Sequence, residues 1–219
     1  MKYVDPCDRT VLFGTGGLQA PIIYVIDLPY HPFEVGAAAR DCVSTIVKVP
    51  VNEWDDSLTP WAAPGLYHGD ADFKGEAAVT FEELLDEAVP AIERAEGLAP
   101  AKRAICGYSL GGLFALYAFV HSDRFSACGC LSGSVWYEGW VDHLRSLDLQ
   151  RGGMRFFPSV RKRSTRVNRF CIPCRTTWRP ALKFYVLKAA RRISSSDPAV
   201  ISTTPRNGSQ PGSKRSMRF

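Results

Sequence analysis

Two periods of apolar residues alternate along this chain, and their alternation lays out the elements. Pro21 to Ile26 is a continuous apolar run ending at Asp27, and Ser44 to Val51 is rich in β-branched residues, so both read as buried strands. Thr10 to Gly14 reads as an edge strand closed by Gly14-Thr15-Gly16-Gly17. Phe33 to Cys42, with the small run Gly36-Ala37-Ala38-Ala39, predicts the helix of a βαβ unit, which requires parallel strands and a right-handed crossover. From Val79 to Gly97 the period changes to that of an amphipathic helix. Leu84, Leu85, Ala88, Val89 and Ile92 share one side, while Glu82, Glu83, Asp86, Glu87 and Glu93 share the other. Ala104-Ile105-Cys106 is a short strand, and Leu110 to Val120 is apolar on nearly every face, as a buried helix should be. Phe125 to Leu131 predicts a further strand and Trp140 to Leu149 a further helix.

The segment from Arg103 to Tyr117 joins strand, sharp turn and helix with a serine at the apex. Gly107, Ser109 and Gly111 fit G-x-S-x-G, the nucleophile elbow, in which small neighbours let the backbone turn tightly enough to lift the serine hydroxyl above the sheet. Gly112 extends the small-residue run. At a helix N-terminus, unpaired N–H groups and the helix dipole favour developing negative charge, and the N–H of Leu110 becomes half of an oxyanion hole.

The connection from Asn52 to Asp72 is long for a compact α/β domain and leaves the C-terminal end of a strand, the side on which such folds bind ligands. It brings Trp54, Asp55, Trp61 and His68 forward as residues that could line a substrate site, although both tryptophans would equally serve to pin the loop to the body. Ser132-Gly133-Ser134-Val135-Trp136-Tyr137 leaves its strand toward the same face, which adds Trp136 to that group.

Composition adds a discontinuity. Residues 1–150 hold 10 Lys and Arg against 21 Asp and Glu, whereas residues 151–219 hold 17 Lys and Arg against one acid, Asp197. The overall charge of +5 therefore hides a break near Gln150. The basic part shows no nucleic-acid-binding module, and no apolar run approaches the roughly 18 residues of a membrane span, so neither partner is expected. Seven irregularly spaced cysteines and the lack of a signal-like start point to reduced thiols and a cytoplasmic protein. Cys171-Ile172-Pro173-Cys174 has no second ligand pair, and the first glycine cluster lacks a phosphate-loop spacing, so no metal or cofactor is expected.

Gly107 to Tyr117, with Glu53 to Trp61 upstream and Leu131 to Trp136 downstream, resembles bacterial serine esterases of the α/β-hydrolase superfamily, in the branch of enterochelin and feruloyl esterases. The likeness covers about residues 20–148. It implies an α/β-hydrolase fold, a mostly parallel sheet flanked by helices, and hydrolysis of a small-molecule carboxylic ester through an acyl-enzyme on Ser109. It also implies that the second oxyanion N–H comes from the loop after Asp27, at Leu28. A non-catalytic binding protein and an acyltransferase remain open on the same residues.

That fold places its acid and then its histidine after the serine. Only His121 and His143 follow Ser109. His121 lies twelve residues along the same helix, about 18 Å away at 1.5 Å per residue. His143 falls on a predicted surface helix before any seventh strand. His31 and His68 precede the serine, and only the loop of His68 faces the site. Residues 151–219 lack the remaining strand and helix pattern, so the fold reads as a core over residues 1–150, incomplete at its C-terminal end, with a basic, poorly ordered tail.

A reading frame displaced within the codons accounts for the tail. Ala199 to Pro205 permits Gly-His-Phe-Asp-Asp-Ala, Phe157 to Val160 permits Ser-Leu-Gly, and Arg175 to Arg179 permits Asp-Asn-Val-Glu. The expectation is a frameshift near residue 150 that removes acid and base, impairs activity and lowers solubility.

Overall fold

A computed structural model describes residues 3–28 and 42–147, and the backbone of Met154–Phe157. Its strands are β1 (Thr10–Leu12), β2 (Ile22–Asp27), β3 (Thr45–Pro50), β4 (Arg103–Tyr108), β5 (Ala127–Leu131) and β6 (Met154–Phe157). They form one sheet in the order β1-β3-β2-β4-β5-β6, antiparallel only between β1 and β3. The sheet is thus mostly parallel, and β2 and β3 pair as the βαβ reading expects. Of the crossover helix expected over Phe33–Cys42, residues 33–41 lie outside the described residues, as does His31.

The chain leaves β2 for β3 on one side and returns to β4 on the other, so the strand order reverses between β2 and β4. Such a reversal opens a crevice at the C-terminal strand ends, where open α/β sheets bind ligands. Leu28 and Ser109 leave the sheet at this point.

Helices are α1 (Trp54–Ser57), α2 (Ala77–Glu82), α3 (Val89–Ala95), α4 (Leu110–Val120) and α5 (Trp140–Ser146). The sheet carries α4 against one face. Its Leu113, Phe114, Leu116 and Phe119 are buried, each worth about 1.5–3 kcal/mol relative to exposure. Leu84, Ala88 and Ile92 complete this core, while Ile23, Val25, Ile46, Ala104 and Cys106 are buried on the other face.

Three local departures from the sequence pattern have identifiable causes. The helical segment begins at Ala77 and passes through a π turn, Glu83–Ala88, in which the Val89 N–H donates to Leu84 O. Pro90 follows directly; it has no N–H, and its ring would strike the carbonyl four residues back, so a widened turn relieves the clash. The long connection is also not structureless, because α1 and the Ala63–Phe73 bridge lie within it. Finally, β6 pairs with β5 from Cys128 opposite Met154 to Leu131 opposite Phe157, so the sheet continues past the charge break at Gln150.

Polar groups near the sheet are paired. Lys48 Nζ lies 2.8 Å from Asp27 Oδ2, with both side chains buried. At the opposite end of the strands, Arg103 donates two hydrogen bonds to Glu93, at 2.6 and 2.7 Å, and the Tyr24 hydroxyl donates to the same carboxylate at 2.9 Å. Burial and then Glu93 raise the Tyr24 phenol well above its ordinary value. Cys7, Cys42, Cys106, Cys128 and Cys130 are free thiols, and Cys171 and Cys174 lie outside the described residues. Among the described residues no helix is long and apolar enough to cross a membrane, and no cluster of His, Cys, Asp and Glu could hold a metal ion.

Candidate active site

Ser109 sits between β4 and α4 with φ 56° and ψ −120°. This is a strained conformation for a residue with a Cβ, costing about 1–3 kcal/mol, and it persists only where the surroundings over-determine it. The constraint is visible on both sides of the residue. The Ser109 N–H donates to Leu131 O at 3.1 Å, and the Ser134 N–H donates to Ser109 O at 3.0 Å.

Close approach requires the neighbouring glycines. A Cβ on Gly107 would lie 2.3 Å from Gly111 O, and one on Gly112 would lie 2.9 Å from the Gly133 Cα. Gly111 carries the Trp54 indole instead, since its own Cβ position is only 3.0 Å from that ring. Trp54 is thereby held over the first turn of α4.

The Ser109 side chain does not cap its helix. An ordinary N-cap serine has extended dihedrals and folds its hydroxyl back onto the first turn, whereas the positive φ turns this one away. The first helical hydrogen bond is from Gly112 N–H to Ser109 O at 3.0 Å, so the N–H groups of Leu110 and Gly111 come before the ladder begins. The half-buried Ser109 Oγ therefore stands beside the positive end of an eleven-residue helix, 3.3 Å from Ser134 Oγ. An anion forming on or near Oγ would be stabilised there.

The other residues singled out from the sequence take different positions. The Leu28 N–H donates to Asp27 Oδ1 at 3.0 Å, so in this structure it is engaged by a carboxylate and not offered to a ligand. Trp61 reaches away toward α5: its Nε1 donates to Glu138 O at 2.9 Å, and its ring lies about 6 Å from those of Tyr137 and Trp140. Its geometry is that of a pin between the long loop and the body. Asp55 lies on α1, and desolvation followed by the carboxylates of Asp56 and Asp70 raises its pKa. His68 is exposed on a turn between Tyr67 and Asp70. Trp136 is exposed two residues beyond Ser134.

Neither later histidine approaches Ser109. His121 follows the last turn of α4, where its Nδ1 bonds Tyr117 O at 2.8 Å, and His143 stacks on it. Ser134 is the partner that sequence reasoning missed. The small run Ser132-Gly133-Ser134 at the end of β5 was its only signal, and Ser132 also has a positive φ, 45°.

Similar proteins share this architecture. Solved structures with the same fold include an IroE-like serine hydrolase from Shewanella oneidensis (21% identical, TM-score 0.52, covering 63% of this chain and 50% of that one). The BES protein from Bacillus cereus (20%, TM-score 0.51, 68% and 69%) and the siderophore hydrolase EstA from Aspergillus nidulans (18%, TM-score 0.54, 81% and 68%) also align. The uncharacterized protein YbbA of Bacillus subtilis is 32% identical over 108 residues, which cover 48% of this chain. The chain spans 43% of the length of that curated relative. The family of esterases described as "Putative esterase" matches residues 32–166, well over half of the sequence and both sides of the charge break. With its mostly parallel sheet and a glycine-flanked serine at the strand–helix turn, the chain belongs to the Esterase family of α/β-hydrolase-type proteins.

Proposed function

We propose that this chain is a serine carboxylic-ester hydrolase, acting on a small-molecule ester through an acyl-enzyme, with Ser109 as nucleophile. The observation that carries the reading is the strained Ser109, whose uncapped hydroxyl stands at the N-terminus of α4. The Leu110 N–H supplies one oxyanion donor. Leu28 supplies the second once its N–H exchanges Asp27 for substrate. Trp54, Asp55, His68 and Trp136 border the approach, while Trp61 holds the long loop in place.

In this reading the chain is impaired because its acid and base are missing. Its four histidines are His31, His68, His121 and His143, none of which stands where the family order requires a base. The last third of the chain is out of frame, and the hydrolase core and basic tail divide it as 1–150 and 151–219. Losing the base typically removes several powers of ten in rate, leaving what oxyanion stabilisation and binding supply.

Two experiments test this. A fluorophosphonate probe should label the wild-type chain slowly and S109A not at all; equal labelling of both would overturn the assignment. Nucleotide sequencing through codons 150–205 should read Gly-His-Phe in the displaced frame, and a chain restored to that frame should hydrolyse p-nitrophenyl esters. The missing base also favours a second reading, a binding protein that retains the pocket without turnover. It predicts no labelling at Ser109.

A further inference from the structure

Ser134 is buried, 1% exposed, and its hydroxyl lies 3.3 Å from Ser109 Oγ. A buried hydroxyl proton left without an acceptor is destabilising, so this proton needs a partner. The contact found for Ser134 Oγ is the one to Ser109 Oγ. Its position is not loose: the Ser134 N–H donates to Ser109 O at 3.0 Å, Val135 N–H donates to Gly133 O at 2.8 Å, and Ser132 is held at a positive φ. Gly133 is packed so closely that a Cβ there would lie 2.2 Å from Cys130 Sγ. The loop after β5 is therefore built around the turn after β4, with one hydroxyl pointed at the other.

We propose that Ser134 is a fixed hydrogen-bond donor to Ser109 Oγ and assists each step in which that oxygen carries negative charge. The inference rests on the reading of Ser109 as nucleophile. At 3.3 Å the contact is long for an O–H···O pair, as suits a bond that gains strength only as charge builds on the acceptor. When Oγ attacks an acyl carbon or the phosphorus of a fluorophosphonate, its own proton passes to solvent hydroxide, the new bond forms and the leaving group departs. Ser134 keeps its proton throughout. In the acyl-enzyme the ester Oγ has no hydrogen, yet it still accepts from Ser134. During deacylation solvent hydroxide adds to the acyl carbon, the Oγ–acyl bond breaks to release the carboxylic acid, and the same donor stabilises the departing alkoxide until it takes a proton from that acid or from water. Selective stabilisation of the charged oxygen is what lowers a barrier, because the neutral ground state gains little.

The test uses two readouts on the full chain. In the S109C background, the thiol at that position is titrated by the pH dependence of iodoacetamide alkylation, followed by mass spectrometry of its own peptide. Removing the donor in S109C/S134A should raise that thiol pKa by about one unit, and S109C/S134T, which keeps a hydroxyl, should restore it. In the serine chain, S134A should slow fluorophosphonate labelling about tenfold, with S134T within about twofold of wild type. A thiol pKa unchanged between S109C and S109C/S134A, or labelling of S134A at the wild-type rate, overturns the proposal. A shifted thiol in a protein whose wild type takes no label leaves the Ser134 donor standing and refutes only the nucleophile.

Discussion

The imidazole of His143 lies stacked on that of His121, ring centroids 5.3 Å apart and planes within 11°, at the far end of α4 from Ser109. Trp61 and Trp140 close the stack, each with its ring centroid 5.4 Å from His143. This pair consolidates the body of the molecule and takes no part at the serine.

Burial, and then His121, holds His143 below its ordinary pKa. The unfolded chain therefore binds this proton at a higher pH than the folded one. The stability tied to the neutral ring is complete above the unfolded value of about 6.5, falls as pH drops through it, and levels off once the folded ring protonates. Thermal melting between pH 7.5 and 5.5 should show this slope, and H143Q should flatten it without changing labelling of Ser109.

The glycines of the turn should be far less replaceable than those elsewhere. G107A forces its methyl to 2.3 Å from a backbone oxygen and should cost at least about 3 kcal/mol, with loss of labelling. Gly97, at φ 64° with open space around it, supplies the control: G97A should cost about 1 kcal/mol in urea unfolding and leave labelling intact.

Asp27 and Lys48 form a buried ion pair beside Leu28. Removing the Lys48 ammonium takes from the buried Asp27 carboxylate the counter-charge 2.8 Å away, so K48M alone should destabilise by about 3 kcal/mol. The double variant D27N/K48M should recover most of that loss in the same denaturant titration, because neither charge is then buried.

Tyr137 anchors the long connection by donating its hydroxyl to Trp61 O at 2.5 Å. Y137F should cost about 1 kcal/mol. Limited proteolysis should detect faster cleavage between residues 61 and 72, while W61A, which also removes the aromatic packing, should do so more strongly.

The architecture was largely legible because β2, β3 and β4 are buried on both faces and consist mainly of apolar residues, with Lys48 the exception in β3. Ser109 and its glycines were legible because a tight strand-to-helix turn tolerates few residue types. The π turn was hidden because Leu84, Leu85, Ala88, Val89 and Ile92 remain buried through it, and only Pro90 signals that the winding must change. Ser134 was hidden because its relation to Ser109 spans 25 residues and depends on the parallel register of β4 with β5. No local pattern records such a relation. β6 went unrecognised because Met154-Arg155-Phe156-Phe157 is short and opens the segment in which positive charge rises.

Among the described residues, the backbone hydrogen bonds that shape the turn at Ser109 join it to Gly112, Leu113, Leu131 and Ser134, and the Trp54 ring lies against Gly111. The turn is thus aimed by the end of β5 and the loop that follows it. Ser109 itself is only half-buried. If Ser109 is the nucleophile proposed above, a diffusible base such as free imidazole should raise its labelling rate, because the hydroxyl would meet that base already oriented.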